Sequence, residues 1–419
     1  MFVCGDMNIP VIALAAVFLL TAFRQVSGLK LQIWQIMLAG AFAVLVTGSI
    51  TPGAAIKSIN VDVLLFLFGM FVVGHALEES GYLAHLTYRY FRQARTLNGL
   101  VLMVLLGGGL FSALLMNDTL AVVGTPVMLL LARKHSMSPK PLLLALAFGV
   151  TIGSTFSPIG NPQNLLIAVH GNMHNPFVDF MRWLLLPSAI NMLVAFWLLK
   201  LVHGDDFHGA ELRHSQEPIR DHDLAVLSRM SLHIILTLVG LKIISASLGS
   251  GEFLRLTHIA LAASLPILVG SRRRWEIARR VDWHTLIFFA AMFVLMESVW
   301  DTGFFQDGLQ RLNVDIRSGE MVLSVSIILS QFISNVPLVA LILPALLQVG
   351  GGTKELMALA AGSTIAGNLS ILGAASNVII IQSVERRQRG TITFWEFSRI
   401  GIPLTVVNGI VYWFFLRYL

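Results

Sequence analysis

The sequence predicts an all-α polytopic membrane protein made of two inverted five-helix repeats, each with a re-entrant hairpin and a broken helix. Three observations predict it. Hydrophobic residues make up 56% of the 419 residues and charged residues 12%, against about 25% charged in a globular chain. Apolar runs near the roughly 20 residues that a bilayer crossing needs recur along the chain. The second half also repeats the pattern of the first.

Ten spans follow in order, at 8–25, 31–50, 61–80, 142–169, 183–203, 229–248, 254–271, 284–303, 355–383 and 397–416. The first run follows a start that holds Asp6 and no Lys or Arg, so it reads as a retained helix rather than a secretory signal. Two further apolar regions, 97–133 and 320–348, are broken by Asn117-Asp118-Thr119 and by Ser334-Asn335. They read as hairpins that enter and leave on one side. Segment 82–95 interleaves aromatics with Arg89, Arg92 and Arg95, the pattern of a helix in the membrane interface. The division is therefore repeat 1 at 1–203, a linker at 204–228 and repeat 2 at 229–419. His203, His208, His214 and His222 in and beside the linker lack tight ligand spacing and read as a solvated loop.

The repeat is collinear. Met70 and Phe71 fall on Met292 and Phe293, and at the same offset Glu79-Ser80-Gly81 falls on Asp301-Thr302-Gly303. At the hairpins Asn117 falls on Asn335 and Pro126 on Pro344. Further on, Gly149, Thr151, Ser157, Gly160 and Asn164 fall on Gly362, Thr364, Ser370, Gly373 and Asn377. The offset drifts slightly from one block to the next, as loop insertions would make it. Five spans per repeat is an odd number, so the second copy should be upside down. Charge agrees. Loop 51–60 has only Lys57, while its partner 271–282 has Arg272, Arg273, Arg274, Arg279 and Arg280. Placing the basic member of each pair inside puts both termini outside a plasma (inner) membrane. Clusters of arginine between apolar runs also explain the net charge of +6 without nucleic acid.

Inverted repeats with broken helices mark secondary transporters. Ser157-Pro158-Ile159-Gly160-Asn161-Pro162 cannot be continuous helix, and backbone that leaves a helix within a bilayer must be buried in protein or line a cavity. Four such breaks meeting near the midplane give a polar substrate site. Its lining is Asn117, Asp118, Thr119, Ser157, Asn161 and Asn164 from one repeat, and Ser334, Asn335, Asn368, Ser370, Ser376 and Asn377 from the other. The same residue types also serve as hydrogen-bond glue between helices. Asp118 stands in apolar sequence opposite Val336. A carboxylate kept from water can exchange a proton near neutral pH, which makes Asp118 the candidate for proton or cation coupling. His75 and Glu297 occupy equivalent positions and are weaker candidates for a proton path.

The segments ALEESGYL (76–83), MNDTLAVVGTPVMLLL (116–131), SPIGNPQNLLI (157–167) and ISNVPLVALILP (333–344) resemble the ion transporter superfamily. That superfamily includes arsenite permeases, NhaD-type sodium/proton antiporters and citrate and dicarboxylate carriers. The resemblance covers nearly the whole chain and is nearest to the ArsB/NhaD-like branch. It implies a scaffold, a moving transport unit, alternating access and, as in several relatives, a homodimer. It also allows a soluble ATPase partner. Dicarboxylate carriers of the superfamily carry Ser-Asn-Thr at both tips. Here the tips are Asn117-Asp118-Thr119 and Ser334-Asn335-Val336, and Asp118 would repel a carboxylate.

The expected function is therefore proton-coupled efflux of arsenite or antimonite, which are neutral triols. A sodium/proton antiporter and a sodium- or proton-coupled anion carrier are the alternatives. No cofactor is expected beyond the coupling ion, H⁺ or Na⁺. The only cysteine, Cys4, lies outside the proposed core, so thiolate capture of the metalloid is not expected. No HExxH, GxSxG or GxxxxGK[ST] pattern occurs, which argues against an embedded hydrolase or an ATPase.

Overall fold

The computed structural model describes residues 8–23, 32–82, 85–86, 90, 93–94, 96–135, 137–204, 219–247, 254–304, 317–331, 335–387 and 392–418. The first half contains α1 (Ile9–Phe23), α2 (Ile33–Val46), α3 (Pro52–Ser58), α4 (Val61–Glu79), α5 (Leu97–Leu115), α6 (Asn117–Lys134), α7 (Lys140–Ser154), α8 (Pro162–His170) and α9 (Pro176–Val202). The second contains α10 (His222–Ser247), α11 (Leu256–Gly270), α12 (Arg274–Arg280), α13 (Trp283–Asp301), α14 (Gly319–Leu329), α15 (Asn335–Gln348), α16 (Thr353–Ile365), α17 (Ala375–Arg387) and α18 (Phe394–Tyr418). Two 3₁₀ turns, Ala366–Asn368 and Ile371–Gly373, separate α16 from α17. Most of the interface segment 82–95 and the greater part of the linker, including His208 and His214, lie outside the described residues, as do Cys4 and Ser334.

Helix starts follow the sequence. Asn60 caps α4 by accepting from Val63 N at 2.8 Å, and Asp282 caps the equivalent α13 through Thr285 N at 3.1 Å. Thr96 does the same for α5 and Asn161 for α8. Each such side chain takes up an amide that the first helical turn leaves free. Gly81 and Gly303 end α4 and α13 at φ +74° and +71°. They are the glycines that the sequence repeat superposes, and the left-handed conformation is why glycine stands there.

Among the described residues six helices are long and apolar enough to cross a membrane: α4, α5, α9, α10 (over His222–Lys242), α13 and α18. The apolar runs 31–50 and 254–271 give helices of only 14 and 15 residues. Hydropathy sets the length of a run but not where the helix stops. In the first case Gly48, at φ +72°, closes the helix two residues beyond Val46.

Packing sorts the helices into two bodies. α1–α4 pack with α10–α13, and α5–α9 pack with α14–α18. One body thus joins the first parts of the two halves, and the other joins their remainders. The principal contacts between bodies are α4 with α6 and α8, and α13 with α15. Within the second body, Gly149 and Gly153 of α7 lie against the backbone of α5 at Leu105 and Gly109. At those two positions an added Cβ would stand 3.0 Å or closer to the α5 backbone. From Pro141 to Ser154, α7 is buried on every side.

Candidate substrate site at the two helix breaks

Both breaks are built alike. After α7, the prolines at 158 and 162 withhold donors and forbid a continuous ladder. One side chain collects the freed carbonyls. Asn164 Nδ2 donates to Ser154 O at 3.0 Å, Thr155 O at 3.1 Å and Ser157 O at 3.0 Å. In the second half, Asn377 Nδ2 donates to Gly367 O at 2.7 Å and Ser370 O at 3.3 Å. Gly160 N donates to Ser157 O at 3.2 Å and Gly373 N to Ser370 O at 3.0 Å. The repeat carries Ser154, Ser157, Gly160 and Asn164 onto Gly367, Ser370, Gly373 and Asn377. The structure therefore repeats hydrogen bonds as well as residues.

Each tip docks on its own break. Asn117 N donates to Gly160 O at 2.9 Å, and Ser157 Oγ to Ala113 O at 2.5 Å. In the second half Gln331 Nε2 donates to Ala366 O at 2.9 Å. The first turn differs from the sequence expectation. Chain reversal falls on Met116, at φ +69°, and Asn117, Asp118 and Thr119 form the first turn of α6 instead of the break itself. The reason is local: Asn117 N is held by the facing break, and Asn117 Oδ1 accepts from Asp118 N at 2.9 Å. The two half-sites face each other through α6 on α17 and α15 on α8.

The candidates divide into engaged and unengaged groups. Asn161 Oδ1 accepts from Asn164 N, and its Nδ2 donates to Ser154 Oγ at 3.0 Å and Thr364 Oγ1 at 3.2 Å. Ser157 and Asn164 are likewise committed to backbone. The second half contrasts with this. Asn335 Oδ1, both amide atoms of Asn368, Ser376 Oγ and Asn377 Oδ1 are buried without a hydrogen-bond partner. Buried polar atoms are ordinarily paired. Unmet amide and hydroxyl atoms beside a docked tip are therefore available to a polar solute. Ser370 is buried, and it offers its carbonyl to Asn377.

Asp118 and Thr119 are half-buried. Thr119 packs against Gly74 of α4, where an added Cβ would stand 2.8 Å from its methyl group. Asp118 joins none of the ion pairs among the described residues. The charge acting on it is that of Asp282, at the start of α13. His75 adjoins Gly74 and lies within electrostatic reach of Glu79, Arg280, Glu276 and Arg273. Glu297 is exposed on α13, with Asp301 its charged neighbour. The structure thus brings His75 near a tip and leaves Glu297 apart from it.

Sequence reasoning did not single out Thr364, Gln163 or Gln331. Thr364 Oγ1 accepts from Asn161 Nδ2 and from Gln163 Nε2 (3.4 Å), and donates to Asn164 Oδ1 at 3.4 Å. One hydroxyl thereby uses both lone pairs and its proton to join the two broken helices. Its match with Thr151 in the repeat was the available signal. The arginine-rich loop also holds more than topology. Arg273 pairs with Glu79 at 2.7 Å, Glu276 at 2.8 Å and Asp221 at 3.7 Å, and Arg280 with Glu276 at 2.9 Å. Arg273 holds the Glu276 carboxyl below the usual carboxylate range. A shallow cavity of about 440 Å³ opens there between Glu79, Arg220, Asp221, His222, Asp223 and Arg273. Among the described residues no group of three or more His, Cys, Asp or Glu is placed to hold a metal ion.

Membrane-length helices, paired breaks and two bodies in limited contact define a multi-pass membrane transporter. Known proteins agree. The fold is similar to that in the crystal structure of the Alcanivorax borkumensis YdaH transporter, with a TM-score of 0.52, 98% of each chain covered and 15% identity. The chain belongs to the CitMHS family, described as citrate transporters, whose pattern matches residues 6–354. An uncharacterised transporter of Mycobacterium tuberculosis is 29% identical over 94% of this chain and 95% of its own. The silicon efflux transporter LSI3 of Oryza sativa subsp. japonica is 28% identical, with 94% of each covered. The human P protein is 26% identical over 84% of this chain but 53% of its own length. The protein is accordingly a transporter and not an enzyme.

Proposed function

We propose that this transporter is a proton-coupled secondary carrier that exports a small, neutral, hydroxylated inorganic solute, arsenite or antimonite first, by alternating access. One observation carries the reading. The unmet buried atoms, Asn335 Oδ1, Asn368 Nδ2 and Oδ1, Ser376 Oγ and Asn377 Oδ1, are neutral donors and acceptors. Hydroxyl groups on an uncharged solute satisfy such a set. A carboxylate or phosphate would want cations, and none of the candidate site residues supplies a lysine or arginine. A relative named for silicon efflux supports the same class, because silicic and arsenious acids are both uncharged and polyhydroxylated near neutral pH. Asp118 is the group that takes the proton. The arginine network lies on the cytoplasmic side of the plasma (inner) membrane by the positive-inside rule, and we propose a homodimer. A soluble ATPase is not required by this cycle.

A second reading is carriage of an organic anion. The family's description favours it, as do the two helix starts at the tips, Asn117 and Asn335, where the helix dipole attracts negative charge. A sodium/proton antiporter shares the same coupling residue. Uptake into everted vesicles, with and without a proton gradient, separates the three for wild type and Asp118→Asn. Gradient-driven accumulation of arsenite, lost in Asp118→Asn, is expected. Wild-type vesicles that accumulate citrate and no arsenite would overturn the neutral-solute reading. Sodium-dependent pH changes without solute uptake would point to the antiporter.

A further inference from the structure

The contact between α4 and α8 contains a bond whose chemistry is fixed from both ends. Asn60 Nδ2 lies 2.8 Å from His170 Nε2. The Asn60 oxygen is already used, because Oδ1 accepts from Val63 N as the cap of α4. The amide nitrogen therefore faces the ring, and it can only donate. His170 Nδ1 lies 3.2 Å from Leu166 O. A carbonyl can only accept, so Nδ1 carries the proton. The ring is then neutral, with Nε2 as acceptor. No other assignment satisfies all three contacts.

Protonation at Nε2 would set an N–H against an NH₂. Turning the Asn60 amide to meet it would forfeit the α4 cap. The bond thus exists with the neutral ring and is lost with the charged one, and histidine is the side chain whose charge changes in the physiological range. The two residues also belong to different bodies: Asn60 opens α4 in the first, and His170 closes α8 in the second. They lie at the end of α4 remote from Glu79 and the arginine network.

Titratable groups stand on several of the elements packed around this pair. α11, packed along α4, brings Arg255 and His258 at its start, with His258 Nδ1 3.4 Å from Arg255 N. α15 has none. α16 brings Lys354 and Glu355 in its first turn, and Glu355 accepts from Gly352 N at 2.9 Å. α4 brings Asp62, which is engaged with Arg255 at 3.4 Å and Thr257 at 3.1 Å. Its other titratable residues, His75, Glu78 and Glu79, are at the far end. Lys57 closes α3, and His174 follows on the same chain. The repeat-equivalent positions are Asp282 and Ser383, and Asp282 turns its carboxylate to Thr285 (2.6 Å). At these equivalent positions an imidazole therefore meets a helix cap in the first half and not in the second.

We propose that His170 and Asn60 form a proton-operated latch between the two bodies, closed with a neutral ring and released when the ring takes a proton. It is a proton site separate from Asp118, and it acts on the motion rather than on the solute. Because it senses the face opposite the arginine network, its proton comes from that side only.

The test measures distance and needs no substrate, so it stands apart from the transport reading. Full-length protein carrying Cys4→Ser is spin-labelled at Ile56→Cys on α3 and His174→Cys beyond α8, in lipid nanodiscs. His174→Cys also removes the neighbouring imidazole. Distances are recorded at about pH 8 and about pH 5.5, either side of the range in which imidazoles change charge. Wild type should show one narrow distance at the higher pH and a second population at the lower. His170→Gln accepts from the same amide and takes no proton, so it should keep the high-pH distribution throughout. Asn60→Asp still caps α4 but presents only acceptors, so the order should reverse, with the second population at the higher pH. A pH response that persists in His170→Gln, an unreversed order in Asn60→Asp, or a wild type indifferent to pH would each overturn the latch.

Discussion

Replacing Asn164 by Leu tests whether the polar breaks are framework or binding surface. The two side chains are close in volume, so the change removes hydrogen bonds and leaves little cavity. Three bonds of 3.0–3.1 Å to Ser154 O, Thr155 O and Ser157 O disappear, together with the long one that Asn164 Oδ1 accepts from Thr364 Oγ1 at 3.4 Å. At about 1 kcal/mol net for each of the three shorter bonds, the loss is about 3 kcal/mol. Interhelical bonds in bilayers average nearer to about 0.6 kcal/mol, which gives a lower figure of about 2 kcal/mol. The Ser154 and Ser157 carbonyls keep second donors in Ser157 N and Gly160 N, so the damage concentrates on Thr155 O. Asn377→Leu removes two bonds, one of them long at 3.3 Å, and should cost about 1 kcal/mol. Its Oδ1, however, is buried without a hydrogen-bond partner. Reversible unfolding in mixed micelles should therefore rank Asn164→Leu as the more damaging. Solute uptake per folded molecule should fall further in Asn377→Leu. Equal stability losses in the two variants, or full transport by folded Asn377→Leu, would refute the division into framework and site.

Two further outcomes are expected. Gly153→Ala places a methyl group against the α5 backbone at Gly109 and should destabilise by about 1–3 kcal/mol, whereas Gly53→Ala, which meets open space, should leave unfolding unchanged. Glu276 gives a pH signature: its folded carboxyl lies below the ordinary glutamate value of about 4.3. Its contribution is then complete above that value and lost as pH falls through the folded one. Unfolding followed against pH should show an acid-side loss that Glu276→Gln lacks, and a loss of equal size in the variant would assign the effect elsewhere.

Much of this protein was legible in its sequence because a bilayer restricts what backbone can do. The apolar runs, the two interrupted regions and the Gly/Pro/Asn breaks each mark a place where helix must form or fail. The cap residues Asn60, Thr96, Asn161 and Asp282 and the helix-ending Gly81 and Gly303 act within a few residues of themselves, so they too could be read locally. The collinear repeat places Asn164 and Asn377 in equivalent positions.

What the sequence could not supply depends on which side chains meet. Asn161 and Asn164 looked like solute ligands, and packing spent them on Ser154, Thr155, Ser157 and Thr364. Asn377, the counterpart of Asn164, and the nearby Asn368 keep free atoms, although composition alone makes the halves look alike. Thr364 belongs to the opposite half of the chain from the asparagines it meets, and no local rule links them. The two packing bodies cut across the two sequence halves, because helices sort by the surfaces they bury and not by their order in the chain. The sequence by itself determined where the backbone breaks and which residue types stand there. Only the tertiary structure decided which polar atoms remain unmet, because satisfaction is a property of neighbours brought together by packing.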